Sequence, residues 1–385
     1  MNILYITTTE FSSNSGVRKK IYGQVSAMNK AGLNTKVLAP FDGKISAIDG
    51  DLISPVGKYH TKGIFKFFYL AEKLYKSVLL YYQKEKFDGV YIRYSILDWN
   101  LMKLLKELKR ERKKIFLEIP SYPYDLEYSR KPFYKKLALY MDRFFSKEIH
   151  KYVDAIFTPS PNQENIYGIK TVFFENGIDL AQIQKRNYSG PIKDVFRLLG
   201  VANLSDWHGY DRIIKGISSF VNKKKTFKIL FNIVGDGAEL PKLKKMATEL
   251  NVQENIIFHG KKYDKELDDI YKESDVAVTS IAFFRLHFAG RTSLKTREAC
   301  VKGIPFISVK GDPVFDENFE YMYTVEDKDV PVDVESIYNW FKNLDHKRYV
   351  TEMNQFAKEN LGWDKTFKNV ISYIKGHNRN DKRSS

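Results

Sequence analysis

Residues 291 to 307, RTSLKTREACVKGIPFI, set Arg291, Lys295 and Glu298 at spacing i, i+4, i+7. On a helix of 3.6 residues per turn that spacing gives one face two cations and one anion. Ser293 can cap, and Leu294 begins a helix expected to reach about Lys302, where Gly303 and Pro305 stop it before the apolar strand IPFISV. A helix start binds anions. Its free amides and dipole favour a phosphate, Arg291 and Lys295 add full charges, and Glu298, one turn deeper, can accept hydrogen bonds from a vicinal diol. A nucleoside diphosphate offers both groups. The alternative, solvated charges on an exposed helix, fits less well with the loop, the cap and the buried strand.

Three further stretches could do chemistry. DWHGYDRII, 206 to 214, follows an apolar strand and places His208 beside Gly209, where the imidazole could reach a phosphate. EIPSYPYDLEY, 118 to 128, gathers Glu118, Tyr122, Tyr124 and Glu127 after the strand KIFL. Aromatic rings stack on sugar faces and carboxylates accept from hydroxyls, so this reads as a sugar platform; a loop packed by its own tyrosines is the competing reading. TTEFSSNSGVRKK, 8 to 20, follows the first strand: Gly16 permits close backbone approach to a ligand, and Arg18 stands next to further cations. GDG at 235 to 237 lacks the third glycine of a dinucleotide fingerprint. The sequence is read as having no Asp-x-Asp diphosphate-metal motif, the DGD at 49–51 and DKD at 327–329 not being taken as one, and no clustered histidines; the single Cys300 excludes an internal disulfide and fits a small core residue.

These residues need elements to position them. Short apolar strands at 2–7, 34–40, 89–94, 114–119, 154–160 and 171–176 alternate with helical patterns, and a second series occupies 196–202, 228–235, 255–260, 275–280 and 304–309. That alternation predicts an α/β fold of two doubly wound, Rossmann-like parallel-sheet domains. The chain of 385 residues suits two such cores. RNYSGPIKD reads as a linker, giving an N-terminal domain over 1–190, a C-terminal domain over 191–362, a helix over 363–376 for which a return onto the N-terminal domain is one expectation, and a polar, disordered tail over 377–385. In such folds ligands bind outside the carboxyl ends of the strands, so a cleft between the domains is the expected site.

With these motifs in place the sequence resembles the retaining glycosyltransferases of family 4, of GT-B architecture, and among them the bacterial enzymes that build capsular or exopolysaccharides. NSGVRKKIYGQVSAMNKAGLNTKVL, ENGID, DWHGYDRII and SLKTREACVKGIPFI carry the likeness. The resemblance implies a hexosyl transfer from a nucleotide sugar, UDP- or GDP-linked, to a hydroxyl of a lipid-linked glycan, with retention and without metal or other cofactor. It assigns donor binding to Gly16, Gly209, Ser293, Leu294 and Glu298 and, where relatives carry a lysine, to His208; the residues themselves lead us to expect catalysis by Arg291, Lys295 and Glu118, the last standing where relatives place a histidine, and acceptor binding by Arg18, Tyr122, Tyr124 and Glu127. The family's usual first glutamate, eight positions before Glu298, is here Gly290.

Net charge is +16, most of it in the first 190 residues, which implies an anionic partner. No nucleic-acid motif is present, so nucleic-acid binding stays a competing reading only, beside a nucleotide-sugar epimerase or hydrolase on the same architecture. No run of about 18 apolar residues could span a bilayer, and the opening MNILYITTTEF has no signal-peptide pattern, so a cytoplasmic location is expected. Two amphipathic stretches, 62–86 and 130–153, carry apolar stripes among cations. In the second, Phe133, Leu137, Tyr140 and Phe144 read first as a core-facing stripe and second as a peripheral contact with anionic membrane.

Overall fold

Runs such as NILYI, GVYIR and KIFLE are apolar at nearly every position, as strands covered on both faces must be. The computed structural model describes the chain except residues 13–14, 60–65, 95, 126–132, 182, 224–226, 287–292, 317 and 382–385, and the side chains of 66–68, 133–135 and 377–381. Two α/β units result, residues 1–179 with 363–385 and residues 180–362.

Unit 1 contains strands β1 (Asn2–Ile6), β2 (Asn34–Phe41), β3 (Lys44–Asp49), β4 (Leu52–Lys58), β5 (Gly89–Arg93), β6 (Lys114–Glu118), β7 (Ala155–Thr158), β8 (Asn165–Ile166) and β9 (Ile169–Phe173). They form a nine-stranded sheet in the order β4-β3-β2-β1-β5-β6-β7-β9-β8. Pairing is parallel from β2 to β9, while β2–β3–β4 and β8–β9 are antiparallel. The β3–β4 hairpin is absent from the sequence reading. Its signal was Gly50-Asp51 between two short runs, with Gly50 at φ 60° closing a two-residue turn.

Helices α1 (Gly16–Lys30), α2 (Lys66–Lys84), α3 (Trp99–Arg110) and α4 (Phe133–Ser146) flank this sheet. The chain returns to it at the end. Trp363, Phe367, Val370, Ile371 and Ile374 join Ile3, Tyr5 and Phe157 in one buried cluster. Trp363 lies so close to Gly23 that a Cβ there would meet the indole at 2.1 Å. The terminal helix runs to Asp381, past residue 377 where the sequence reading starts its tail; residues 382–385 lie outside the described residues.

The stripe on α4 is reversed relative to its first reading. Leu137, Tyr140 and Phe144 are 51%, 75% and 67% exposed, and Ala138, Asp142 and Phe145 face inward instead. The reason is polar: Asp142 accepts from the Leu97 amide at 2.8 Å and from the hydroxyls of Tyr94 and Tyr124, which fixes the rotation of the helix. Phe133's side chain lies outside the described residues.

Unit 2 has strands β10 (Val195–Asn203), β11 (Lys228–Asp236), β12 (Ile256–Gly260), β13 (Val276–Val278), β14 (Phe306–Val309) and β15 (Met322–Val325). Their order is β12-β11-β10-β13-β14-β15, parallel throughout. Helices α5 (Tyr210–Val221), α6 (Leu240–Glu249), α7 (Asp264–Glu273), α8 (Leu294–Lys302), α9 (Val334–Asn343) and α10 (Tyr349–Asn360) complete it. The units divide after Asp179 and not near residue 190. Arg186 explains the difference: buried, it donates to the carbonyls of Gly303, Tyr271 and Ser274 and to the Tyr349 hydroxyl, so the apparent linker is packed into unit 2.

Candidate active site

Strand order reverses between β10 and β13, and the loops leaving their carboxyl ends lie side by side at this switch point. The loop after β10 turns through residues 206–208 into α5, and the loop after β13 leads toward α8. Backbone bonds tie them: the amides of Ile281 and Ala282 donate to the carbonyls of His208 and Trp207 at 3.2 and 3.1 Å. Gly209 is required at the junction. Its φ is 70°, and a Cβ would meet Ile281 Cγ1 at 2.7 Å.

His208 is buried, and its Nδ1 accepts the Ser205 amide at 3.1 Å. The ring proton therefore belongs on Nε2, making His208 a neutral donor. Burial, reinforced by the charge of Lys295, lowers its pKa to about 3. Lys295 is the second resident. The residue keeps some exposed surface, but its ammonium is deep enough for burial to lower its pKa, with Glu298 acting in the opposite direction. No salt bridge to Lys295 Nζ occurs among the described residues within 4.0 Å. It sits in the first turn of α8, where Ser293 is the cap and accepts the Lys295 amide at 3.2 Å. Leu294 is the first helical residue, and Glu298 lies one turn on, partly exposed. Arg291, with Gly290, lies outside the described residues.

Sequence reasoning missed what holds this corner. Arg297, read only as part of the SLK-x-R-E run, is fully buried and grips Asp312 through both terminal nitrogens, with Nη2 at 2.8 Å from Oδ1. Arg285 clasps both oxygens of Asp211 at 2.9 and 2.8 Å and donates to the Asp206 carbonyl at 2.7 Å, fastening the two loops again. Neither partnership is visible at a fixed sequence spacing. The single signal was an abundance of arginine near loop acids.

In unit 1 the switch point lies between β1 and β5. Glu118 at the end of β6 is fully buried and not at an open mouth, which corrects its catalytic reading. Its Oε2 accepts from Tyr91 at 2.7 Å, Gln24 at 2.8 Å and Tyr5 at 3.4 Å, while Oε1 meets Lys20 at 3.1 Å and also Arg93. Burial alone would raise the Glu118 pKa, but Lys20 and Arg93 hold it down at about 2. Burial in turn lowers Lys20 to about 8 despite its partner. With both oxygens committed, Glu118 has no lone pair directed to a substrate.

The tyrosine platform is half dissolved. Tyr124 is buried, its hydroxyl shared among Asp142, Tyr94 and Tyr167, so it is part of a polar core and not a sugar-stacking ring. Tyr122 stays partly exposed, edge-on to Tyr167 with centroids 6.0 Å apart. Glu127 lies outside the described residues. Gly16 opens α1 behind the cap Ser15, whose side chain accepts the Arg18 amide at 3.2 Å. A Cβ at Gly16 would meet nothing within 4 Å, so the fold itself does not require glycine there. Arg18 lies over the Tyr22 ring at 5.2 Å, partly exposed at the start of α1.

Residues 182–326 match the family model described as glycosyl transferases group 1, and that stretch lies within unit 2. The chain is 26% identical to Protein CapJ of Staphylococcus aureus over 212 residues, 54% of this chain and 52% of CapJ. It thus spans about half the length of that curated relative. Among solved structures, sucrose-phosphate synthase from Thermosynechococcus elongatus superposes over 100% of both chains with a TM-score of 0.67 at 15% identity. Anabaena HepE in complex with UDP-glucose covers 98% of this chain and 100% of its own with a TM-score of 0.61 at 12% identity. The fold is the two-unit α/β architecture of GT-B glycosyltransferases.

Proposed function

We propose that the protein is a retaining glycosyltransferase of family 4 type that moves a hexosyl unit from a nucleoside diphosphate sugar to a hydroxyl of a lipid-linked surface-polysaccharide intermediate, without a metal. The observation that carries this reading is Lys295: a half-buried lysine whose pKa burial lowers, without an ion-pair partner among the described residues, in the first turn of a capped helix. Burying a charge is costly unless an anion compensates it, and the start of a helix favours one. A diphosphate supplies that anion. Departure of the nucleoside diphosphate is the hard step, and Lys295, the amides at Ser293 and Leu294 and the Nε2 proton of His208 would stabilise charge on the leaving oxygen. Arg291 is proposed as a second cation there. Glu298 would take the ribose hydroxyls, and Gly16 is proposed as a donor-binding and Arg18 as an acceptor-binding residue.

The group 1 match supports the donor class, the HepE complex makes a UDP-sugar the first donor to try, and the low-identity likeness to CapJ is in keeping with the capsular type. The exposed basic and aromatic surface of unit 1 fits a peripheral place on the inner face of the membrane, where a lipid-linked acceptor would lie. Thermal-shift titration against UDP- and GDP-sugars, with chelator present, is the test. One nucleotide should raise the Tm of wild type and fail to raise that of Lys295→Ala; equal shifts in both proteins would sink the assignment. Sugar release without an acceptor would favour the hydrolase reading instead.

A further inference from the structure

Unit 1 presents an aromatic surface that its own core does not use. Leu137, Tyr140 and Phe144 recur at i, i+3 and i+7 on the outer face of α4. Trp99, the first residue of α3, is 71% exposed and lies against Phe145 with ring centroids 5.3 Å apart; Phe144 touches the same Phe145 ring at 5.2 Å. Trp99 and Phe144 thus meet on Phe145, and Tyr140 and Leu137 continue the exposed apolar face along α4. A cluster of this size is not the scattered apolar exposure of an ordinary surface.

Cations frame it. Lys136 and Lys147 are exposed on α4 and just past its end, and Lys103 and Lys106 are exposed on α3, following Trp99 along one face. The nearby acids are taken: Glu107 is bridged by Arg110 at 3.1 Å and Glu148 by Lys151 at 2.6 Å. Lys151 chiefly, then His150 and Lys106, lower the Glu148 pKa, so Lys106 on α3 lies near the end of α4. From these facts we infer that α4 and the start of α3 form a membrane-docking face, with Tyr140, Phe144, Leu137 and Trp99 entering the interface of an anionic bilayer and the four lysines meeting its headgroups. Aromatic rings with a polar edge belong at that depth, and lysines there gain from a negative surface. A second copy of the chain is the weaker occupant, since pairing this face with itself would set lysine against lysine.

This inference deepens the peripheral placement proposed above, but it stands on unit 1 alone and is independent of the donor site. Flotation of the full chain with phosphatidylcholine vesicles, with and without phosphatidylglycerol, tests it. Binding should need the anionic lipid and weaken with salt. Tyr140→Ser/Phe144→Ser should lower the bound fraction about tenfold or more, and Lys136→Glu/Lys147→Glu should remove the preference for phosphatidylglycerol. Trp99 emission should shift to the blue on binding and be quenched by brominated chains, a change missing from Trp99→Phe. The nucleotide-induced Tm shift should survive in the serine double variant, which separates failure here from failure of the donor site. Undiminished flotation of that variant would overturn the inference. So would a wild-type dimer, seen by sedimentation, that the serine substitutions dissociate.

Discussion

Both units gather buried cations near the carboxyl ends of parallel strands, and they treat them in opposite ways. In unit 1, Lys20 and Arg93 converge on Glu118, which also receives two tyrosines and a glutamine. In unit 2, Lys295 has the partial influence of Glu298 and a neutral histidine beside it, with no ion pair of its own among the described residues. The first cluster is closed by the protein's own carboxylate; in the second no carboxylate forms an ion pair with Lys295 among the described residues, and the proposed diphosphate would take that place. Buried charge by itself is therefore a poor guide to function, and the presence of an internal counter-ion separates scaffold from site.

Breaking the closed cluster should have the largest effect. Glu118→Gln strands two buried cations and should cost about 3–5 kcal/mol in urea unfolding. A loss within experimental error would mean that the cluster is not closed in solution. Next comes the junction that shapes the open site: Gly209→Val combines a left-handed φ with a clash against Ile281 and should cost about 2–3 kcal/mol, together with the nucleotide-induced Tm shift. The open cluster should respond with the opposite sign. Lys295→Met removes an uncompensated buried charge, so the free protein should gain about 1 kcal/mol while its response to nucleotide sugars disappears. A destabilised Lys295→Met protein would show that Lys295 is a structural cation like Lys20.

The last effect concerns pH and is spread over several units. His208 titrates near 6.5 when unfolded and at about 3 when folded, so the unfolded chain binds the extra proton between those values. Its contribution is complete above pH 6.5 and is lost as pH falls toward 3, at no more than about 1.4 kcal/mol per pH unit. Urea midpoints measured from pH 7 to 4 should fall less steeply for His208→Gln than for wild type. Parallel slopes would place the imidazole in water.

Local pattern made much of this molecule legible. The apolar runs of β1, β5, β6, β10 and β11 announce parallel strands, and Ser293 with Gly303 bounds α8 correctly, because capping and periodicity are properties of neighbouring residues. The candidate donor corner could be read for the same reason: Lys295 and Glu298 lie on one short helix and His208 beside a glycine turn. Glu118 and Tyr124 could not be read. They stand in a sequence that looks like an exposed sugar loop, and their partners are far along the chain, Lys20 and Tyr5 for the one and Asp142 and Tyr167 for the other.

The same division holds for α4. Sequence alone determined that Leu137, Tyr140 and Phe144 would share a face, since helix geometry needs no knowledge of the rest of the chain. Which way that face would point was decided by the tertiary structure, where the amide of Leu97 and the hydroxyls of Tyr94 and Tyr124 draw the Asp142 carboxylate inward and turn the aromatics out. A buried carboxylate must be satisfied by whatever surrounds it, and only the assembled fold supplies those surroundings.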